Sequence, residues 1–301
     1  MDISEIKVDI ILASYNGELF IEEQIRSILN QTHQNINLII TDDSSNDNTK
    51  EIVDGLMLLD KRIRFYKNET GNGVVSNFNN GLRYSTAEYI LFSDQDDVWK
   101  NNKVELLLNE IIAKEVSDDF IIPCLIFSNL SIVNEDLSLI NNDFYAYNKL
   151  NPINNTKIEY LKWRSSVYGC SLIFNRKLLV LAGCVPLGIS MHDHWFAFHA
   201  ALKGKICFFN QSLVLYRQHR NNVVGAHKRS FLQKIYRGKK TFEGIYKAIN
   251  SSRELKTIYA RKMQSVEENK INFILRNVIP FAAERKLYTL FFVLGYLCQK
   301  Q

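Results

Sequence analysis

Three carboxylates crowd into four residues of this chain: Asp94, Asp96 and Asp97, in the run FSDQDDVW from Phe92 to Trp99. Such a cluster repels itself. The apolar stretch just before it, Tyr89–Phe92, reads as a buried strand that would deliver all three charges to one strand end. A hard divalent cation, Mg²⁺ or Mn²⁺, relieves the repulsion, because it prefers carboxylate oxygen and accepts phosphate as a further ligand. The competing reading is a solvated acidic loop; the preceding strand and the closing Trp99 argue against it.

Other residues could act beside such an ion. In IITDDSSNDNT, Ile39 to Thr49, Asp43 is suited to accept a hydrogen bond from an imide N–H, which uracil and thymine both present. Asp42 stands behind it, and a turn cap is the plainer role open to either. In ASYNG, Tyr15 offers an aromatic face for a base. In LVLYRQHRNNVVG, Leu213 to Gly225, Arg217 and Arg220 carry positive charge suited to a diphosphate, with an ordinary basic loop as the alternative. His192, His194 and His199 fall in ISMHDHWFAFHA at helical spacing. His194 and His199 read as ordinary helix-surface or core histidines, His192 is left open, and a zinc site from the three is disfavoured because the acidic cluster already accounts for a metal.

These residues need elements to hold them. Val8–Ala13, Asn37–Thr41, Ile63–Tyr66, Tyr89–Phe92 and Leu125–Ser128 are short apolar runs of strand length, the first interrupted by Asp9. Between them, helical spacing recurs: Ile21, Ile25, Ile28 and Leu29 after a cap at Asn16, then Ile52–Leu59 after Asp47, Val74–Leu82 and Val104–Ile112. Leu213–Leu215 reads as a later strand, and Tyr168-Gly169-Cys170 as the beginning of another. Strands alternating with helices imply a mostly parallel α/β sheet, in which ligands sit beyond the carboxyl ends of the strands. The Ser14–Asn16, Asp42–Ser45 and Asp94–Asp97 clusters follow the first, second and fourth strands, so they should converge on one rim.

Taken together, ILASYNGELFIEEQIRSILNQT, INLIITDDSSNDNT and YILFSDQDDVWKNNKVE resemble the family 2 glycosyltransferases of the GT-A (Rossmann-like) fold, over about Val8 to Gly225. The SDQDD-VW run and the downstream YRQH are more typical of the bacterial rhamnosyltransferase-like branch that builds surface polysaccharides. The resemblance implies that Tyr15 and Asp43 hold a pyrimidine, that Asp94 contacts the ribose or supports the metal, and that Asp96 ligates the metal. It also implies that Asp193 is the catalytic base, with His192 where a glutamate is more common and Trp195 shaping the acceptor pocket, and that His219 is a further metal ligand. The implied reaction is inverting transfer from a UDP- or dTDP-sugar, dTDP-L-rhamnose among them, to a hydroxyl of a saccharide or lipid-linked saccharide. A sugar-nucleotide pyrophosphorylase should carry a Gly-rich, Arg-containing loop after its first strand, and ASYNGE has only Gly17 and no basic residue. A non-catalytic carbohydrate- or nucleotide-binding protein on the same fold would be expected to lack Asp96 or Asp193.

Bulk properties frame this reading. The 301 residues are 46% hydrophobic and 23% charged, an ordinary globular composition. Five scattered cysteines without a CxxC pair read as free buried thiols of a reducing compartment. The N-terminus lacks the pattern of a signal peptide, and no apolar run is long enough to span a bilayer, so a cytoplasmic protein is expected, peripheral on the inner face of the membrane in one form. The net charge of +5 originates between His227 and Lys262, where eleven lysines and arginines face two glutamates. This divides the chain into a catalytic domain over 1–225 and a basic, helical region over 226–301. A basic stretch beside the aromatic-rich Ile271–Cys298 suits an anionic membrane surface or a contact within a homo-oligomer. No nucleic-acid-binding motif is present.

Overall fold

The computed structural model describes residues 2–69, 71–117, 120–219 and 231–299, without the side chains of 117 and 231–242. The boundary expected at residue 225 and Arg220 lie outside the described residues.

Nine strands form one sheet: β1 (Val8–Ser14), β2 (Ile36–Asp42), β3 (Ile63–Lys67), β4 (Tyr89–Ser93), β5 (Val98–Trp99), β6 (Cys124–Val133), β7 (Leu139–Asn141), β8 (Leu172–Asn175) and β9 (Lys205–Arg217). Their order is β3-β2-β1-β4-β8-β6-β9-β5, with β7 paired to β6. β1 to β4, β6 and β9 run one way, because β8 is antiparallel to both β4 and β6 while β9 is parallel to β6. The expected mostly parallel α/β sheet is thus present, and the carboxyl ends of β1, β2 and β4 lie side by side.

Helices cover this sheet through regularly spaced apolar faces. α1 (Ile21–Leu29) buries Ile21, Gln24, Ile25 and Ile28. α2 (Thr49–Leu59), α3 (Val74–Leu82) and α4 (Lys103–Lys114) follow the next strands, and α4 buries Val104, Leu107, Leu108 and Ile111. β1, β2, β4 and β6 have no exposed residue, as strands covered on both faces require.

Two local expectations are corrected. Asn16 does not cap α1, which starts five residues later at Ile21. It adopts a left-handed backbone (φ 48°), which Asn tolerates, and holds the neighbouring loop instead. Tyr168–Cys170 does not open a strand: Gly169–Ser171 is one 3-10 turn, and β8 begins at Leu172.

Asp9, a carboxylate inside a buried strand, is fully satisfied. It accepts from Asn37 Nδ2 (3.0 Å), Ser85 Oγ (2.8 Å), Thr86 N (2.6 Å) and Ala87 N (2.8 Å), and so fixes the turn that feeds β4.

Apart from β9, the described residues beyond β8 are largely helical. After α5 (Arg176–Ala182) and α6 (His192–Lys203) come α7 (Phe231–Lys262), α8 (Lys270–Phe273), a π turn (Ile274–Val278), a 3-10 segment (Ile279–Arg285) and α9 (Lys286–Cys298). Pro280, which lacks an N–H, stands where the regular helix gives way. One face of these helices packs on residues 151–164. Phe281 meets Tyr160 (ring centroids 5.2 Å), Phe292 meets Trp163 (5.2 Å), and Glu284 pairs with Arg164 (3.2 Å).

Candidate active site

The site is assembled by polar bonds between loops at the carboxyl ends of the strands. Asp43 N donates to Ser14 O (2.9 Å), placing the second loop against the first. Ser14 Oγ donates to Asp42 Oδ1 (2.8 Å), and Asn16 N donates to Ser45 Oγ (2.8 Å). Asn46 N returns a bond to Asn16 Oδ1 (2.9 Å), and Gly17 N donates to Thr49 Oγ1 (2.8 Å). Most polar residues of the second loop are therefore scaffold, Asp42 included. Asp43 is half-buried. Its carboxylate accepts from Asn68 Nδ2 (2.8 Å) and Gly73 N (2.7 Å), which uses one position on each oxygen and leaves lone pairs unspent.

Gln95 joins this unit to the acidic loop. Its side chain accepts from Tyr15 N (2.8 Å) and donates to Tyr15 O (3.0 Å), as a neighbouring strand would. The packing is close enough that a Cβ on Gly17 would come within 2.4 Å of Gln95 Oε1. Tyr15 itself projects outward, 54% exposed.

Asp94 and Asp96 are partly exposed, and Asp97 is buried. Asp96 Oδ2 lies 2.7 Å from His219 Nε2, across more than a hundred residues of sequence. Asp94, Asp97 and Cys170 bring one ligand atom each within 4.8 Å of one another. Burial, with the charges of Asp96 and Asp193, pushes Asp94 up to about 7. Burial also pushes Asp97 well above the usual carboxylate range, and Asp97 Oδ2 has no hydrogen-bond partner. Crowded carboxylates with an orphaned oxygen, and a partly exposed Asp–His pair, fit a divalent cation with oxygen and imidazole ligands. Burial pushes the Cys170 thiol well above its usual range, and a soft sulfur suits Mg²⁺ or Mn²⁺ less well than the carboxylate oxygens beside it.

Asp193 completes the rim. It is the second residue of α6 and 7% exposed. Its carboxylate accepts from His194 N (2.6 Å) and from Gly169 N (3.1 Å). Burial pushes it up to about 7, against the pull of those N–H bonds. Gly169 ties Asp193 to the acidic loop, because the next residue, Cys170, sits among Asp94 and Asp97. A Cβ at Gly169 would meet His192 Nε2 at 2.5 Å, so only glycine allows this approach. Direct contacts therefore run from Asp43 through Ser14, Tyr15 and Gln95 to Asp96, and from Asp94 through Cys170 to Asp193.

Arg217 differs from expectation. It is 3% exposed, and its guanidinium turns inward. It donates to Asp96 O (2.9 Å), Glu135 O and the Glu23 carboxylate, while its backbone N donates to Asp97 Oδ1 (3.2 Å). It buttresses the acidic loop from behind. The histidines of α6 are core residues: His194 reaches Leu161 O (2.6 Å), His199 reaches Trp195 O (3.0 Å), and burial drops both to about 4. His192 stacks on Phe78 (3.8 Å), neither ring nitrogen has a partner, and burial drops it to about 3. The cysteines are free as expected, although Cys184 and Cys298 are exposed and Cys170 lies among carboxylates rather than in apolar surroundings.

Sequence reasoning missed Gln95, Glu23 and Lys103. Lys103 is fully buried and donates to Cys170 O (2.6 Å) from above the Trp99 ring (3.0 Å to centroid), and burial pushes its ammonium well below the usual range against the pull of Asp97 and Asp94.

An open α/β sheet with its acidic loops on one carboxyl rim has the GT-A architecture, and solved structures agree. S. aureus TarS 1–349 in complex with UDP-GlcNAc superposes with a TM-score of 0.56 at 16% identity, covering 97% of this chain and 80% of that one. The mannosyltransferase PcManGT from Pyrobaculum calidifontis, in complex with GDP-Man and Mn²⁺, superposes at 0.54 and 17%, covering 99% and 89%. At these identities the likeness concerns the fold. The chain belongs to glycosyl transferase family 2, which matches residues 9–178. Among curated relatives, the Escherichia coli UDP-Glc:alpha-D-GlcNAc-diphosphoundecaprenol beta-1,3-glucosyltransferase WfgD is 35% identical over 43% of this chain and 47% of its own. The Shigella flexneri dTDP-rhamnosyl transferase RfbG is 28% identical over 72% and 74%. The chain thus spans about half the length of the first of these.

Proposed function

We propose that this protein transfers a sugar from a UDP- or dTDP-sugar to a hydroxyl of a growing surface polysaccharide, lipid-linked in one form, with inversion at the anomeric carbon. The observation that carries the reading is the convergence of Asp43, Asp94, Asp96 and Asp193 on one rim of the sheet, in a family whose relatives act on such donors. Residues 1–225 are the catalytic domain in this reading, and 226–301 an accessory helical region.

Tyr15 stacks on the pyrimidine, and Asp43 accepts its imide N–H with the lone pairs left over from Asn68 and Gly73. Asp94 contacts the ribose or supports the metal site. Asp96 and His219 would hold Mg²⁺ or Mn²⁺, which supplies charge stabilisation for the departing diphosphate. Gln95 holds Tyr15 in register with the acidic loop. Arg217 is reassigned from contact with the diphosphate to positioning Asp96. Asp193, raised to about 7, removes the proton of the attacking hydroxyl near neutral pH, the range in which a general base works best. One base and one displacement give inversion. Holding both substrates on the same rim makes their encounter effectively intramolecular.

The test is Asp193→Asn. Transfer should fall by roughly 10²-fold or more, while UDP or dTDP binding persists. Unchanged transfer would remove Asp193 from the chemistry.

A further inference from the structure

The C-terminal helices bury one face and leave the other apolar. On the first segment Ile271, Leu275 and Ile279 are exposed, four residues apart each time. On α9 Leu287, Leu290, Leu294 and Leu297 are exposed at spacings of three and four. The segments form an antiparallel pair: Lys270 Nζ donates to Gln299 O (2.6 Å), and Ile271 and Leu297 line the same surface concavity. The two rows therefore begin side by side. Seven exposed aliphatic side chains on adjoining helices exceed the scattered apolar residues of an ordinary surface.

The charges beside the break and the start of α9 are of one sign. Arg285 and Lys286 are exposed, while Arg276, also exposed, lies 3.7 Å from Glu268. Between residues 269 and 299 the only carboxylate is Glu284, which is turned inward onto Arg164 (3.2 Å) and Tyr160 Oη (2.8 Å). We propose that this face is a docking surface for an anionic lipid bilayer, with the leucine and isoleucine rows entering the headgroup–acyl boundary and the arginines and lysine meeting lipid phosphates. A second copy of the chain fits less well, because a two-fold pairing would set the same basic residues against each other. No helix among the described residues is long and apolar enough to cross a membrane, so contact would be lateral.

The orientation has a consequence for the site. Glu284, at the break between the two segments, accepts from Tyr160 Oη (2.8 Å), and the carbonyl of the next residue, Leu161, lies 2.6 Å from Nε2 of His194, the neighbour of Asp193. The edge of the docking face thus lies near the catalytic base, where an acceptor anchored in the same bilayer can reach it. That last step rests on the transferase reading; the docking does not.

The experiment is flotation of the full chain with vesicles of phosphatidylcholine, with and without phosphatidylglycerol. The protein should bind the anionic vesicles at least about tenfold better than neutral ones and release them in high salt. Leu290→Asp with Leu294→Asp should lower that binding about tenfold or more, leaving the far-UV spectrum and slow hydrolysis of the donor in solution unchanged. Both leucines are about half exposed, so the fold tolerates the change. Absent binding by the unaltered chain, equal binding by the variant, or sedimentation showing a dimer that the same substitutions split would each overturn the proposal. Binding without any transferase activity would uphold the docking face and remove only the active-site reading.

Discussion

Two ends of the same strands treat buried carboxylates in opposite ways. At the amino end of β1, Asp9 is fully buried and receives four hydrogen bonds, from Asn37, Ser85, Thr86 and Ala87. At the carboxyl rim, Asp97 has an orphaned oxygen, and Asp94 and Asp193 are pushed up to about 7. Asp97 and Asp193 are buried like Asp9, and Asp94 partly so, but satisfaction differs. The amino end spends its carboxylate on architecture, whereas the rim keeps charges short of partners that a cation, a nucleotide and an acceptor hydroxyl would supply. Perturbed groups gathered at one edge of a sheet mark function more strongly than acidic composition does.

The sharpest way to break the comparison is to make the same substitution at both ends. Asp193→Asn should reduce transfer by roughly 10²-fold or more. It should lower stability less than the same change at Asp9. Burial raises this carboxyl's folded-state value to about 7, above the 3.8 of an unperturbed aspartate, so its contribution to stability declines as pH rises between those values. At pH 8 that relief offsets the amide N–H₂ turned toward one of the two N–H donors, His194 N or Gly169 N. Asp9→Asn should do the reverse. It leaves one amide oxygen where two carboxylate oxygens received four donors, and should cost about 3 kcal/mol in urea unfolding, while transfer per folded molecule is retained. Equal effects of the two changes on stability would erase the distinction.

The pH profile tests the rim alone. Transfer should fall as pH drops below about 7, approaching tenfold per unit as Asp193 takes up its proton, and the limb should become shallower in the residual activity of Asp193→Asn, where Asp94 alone still titrates near 7. The smallest effect is expected at Gln95. Gln95→Ala removes the two bonds to the Tyr15 backbone and should raise KM for the donor by about threefold to tenfold, from the roughly 1 kcal/mol typical of a lost hydrogen bond, with little change in kcat.

Much of this was legible in the sequence because it depends on local periodicity. The alternating strands and helices came through, and the strand-end rule directed attention to Tyr15, Asp43 and Asp94–Asp97 before any coordinates. What failed to show was interaction at long separation. Arg217 read as a free cation because nothing in LYRQH reveals that Glu23, Glu135 and the Asp96 carbonyl lie around it. Lys103 drew no notice because its partners, Trp99 and the Cys170 carbonyl, are supplied by the fold. Asn16 read as a helix cap because the left-handed turn that commits it to Asn46 depends on a second loop. The exposure of one helical face in 271–297 was likewise hidden, since an apolar run does not disclose which of its sides is covered.

The central claim is that Asp96 and His219 hold one cation beside the donor while Asp193 stands apart as the base. Mn²⁺ titration followed by electron paramagnetic resonance, with UDP or dTDP present, tests it most directly. Asp96→Asn and His219→Ala should each weaken Mn²⁺-dependent nucleotide binding by about tenfold or more, and Asp193→Asn should leave it intact. Retention of Mn²⁺ binding in Asp96→Asn, or its loss in Asp193→Asn, would contradict the account.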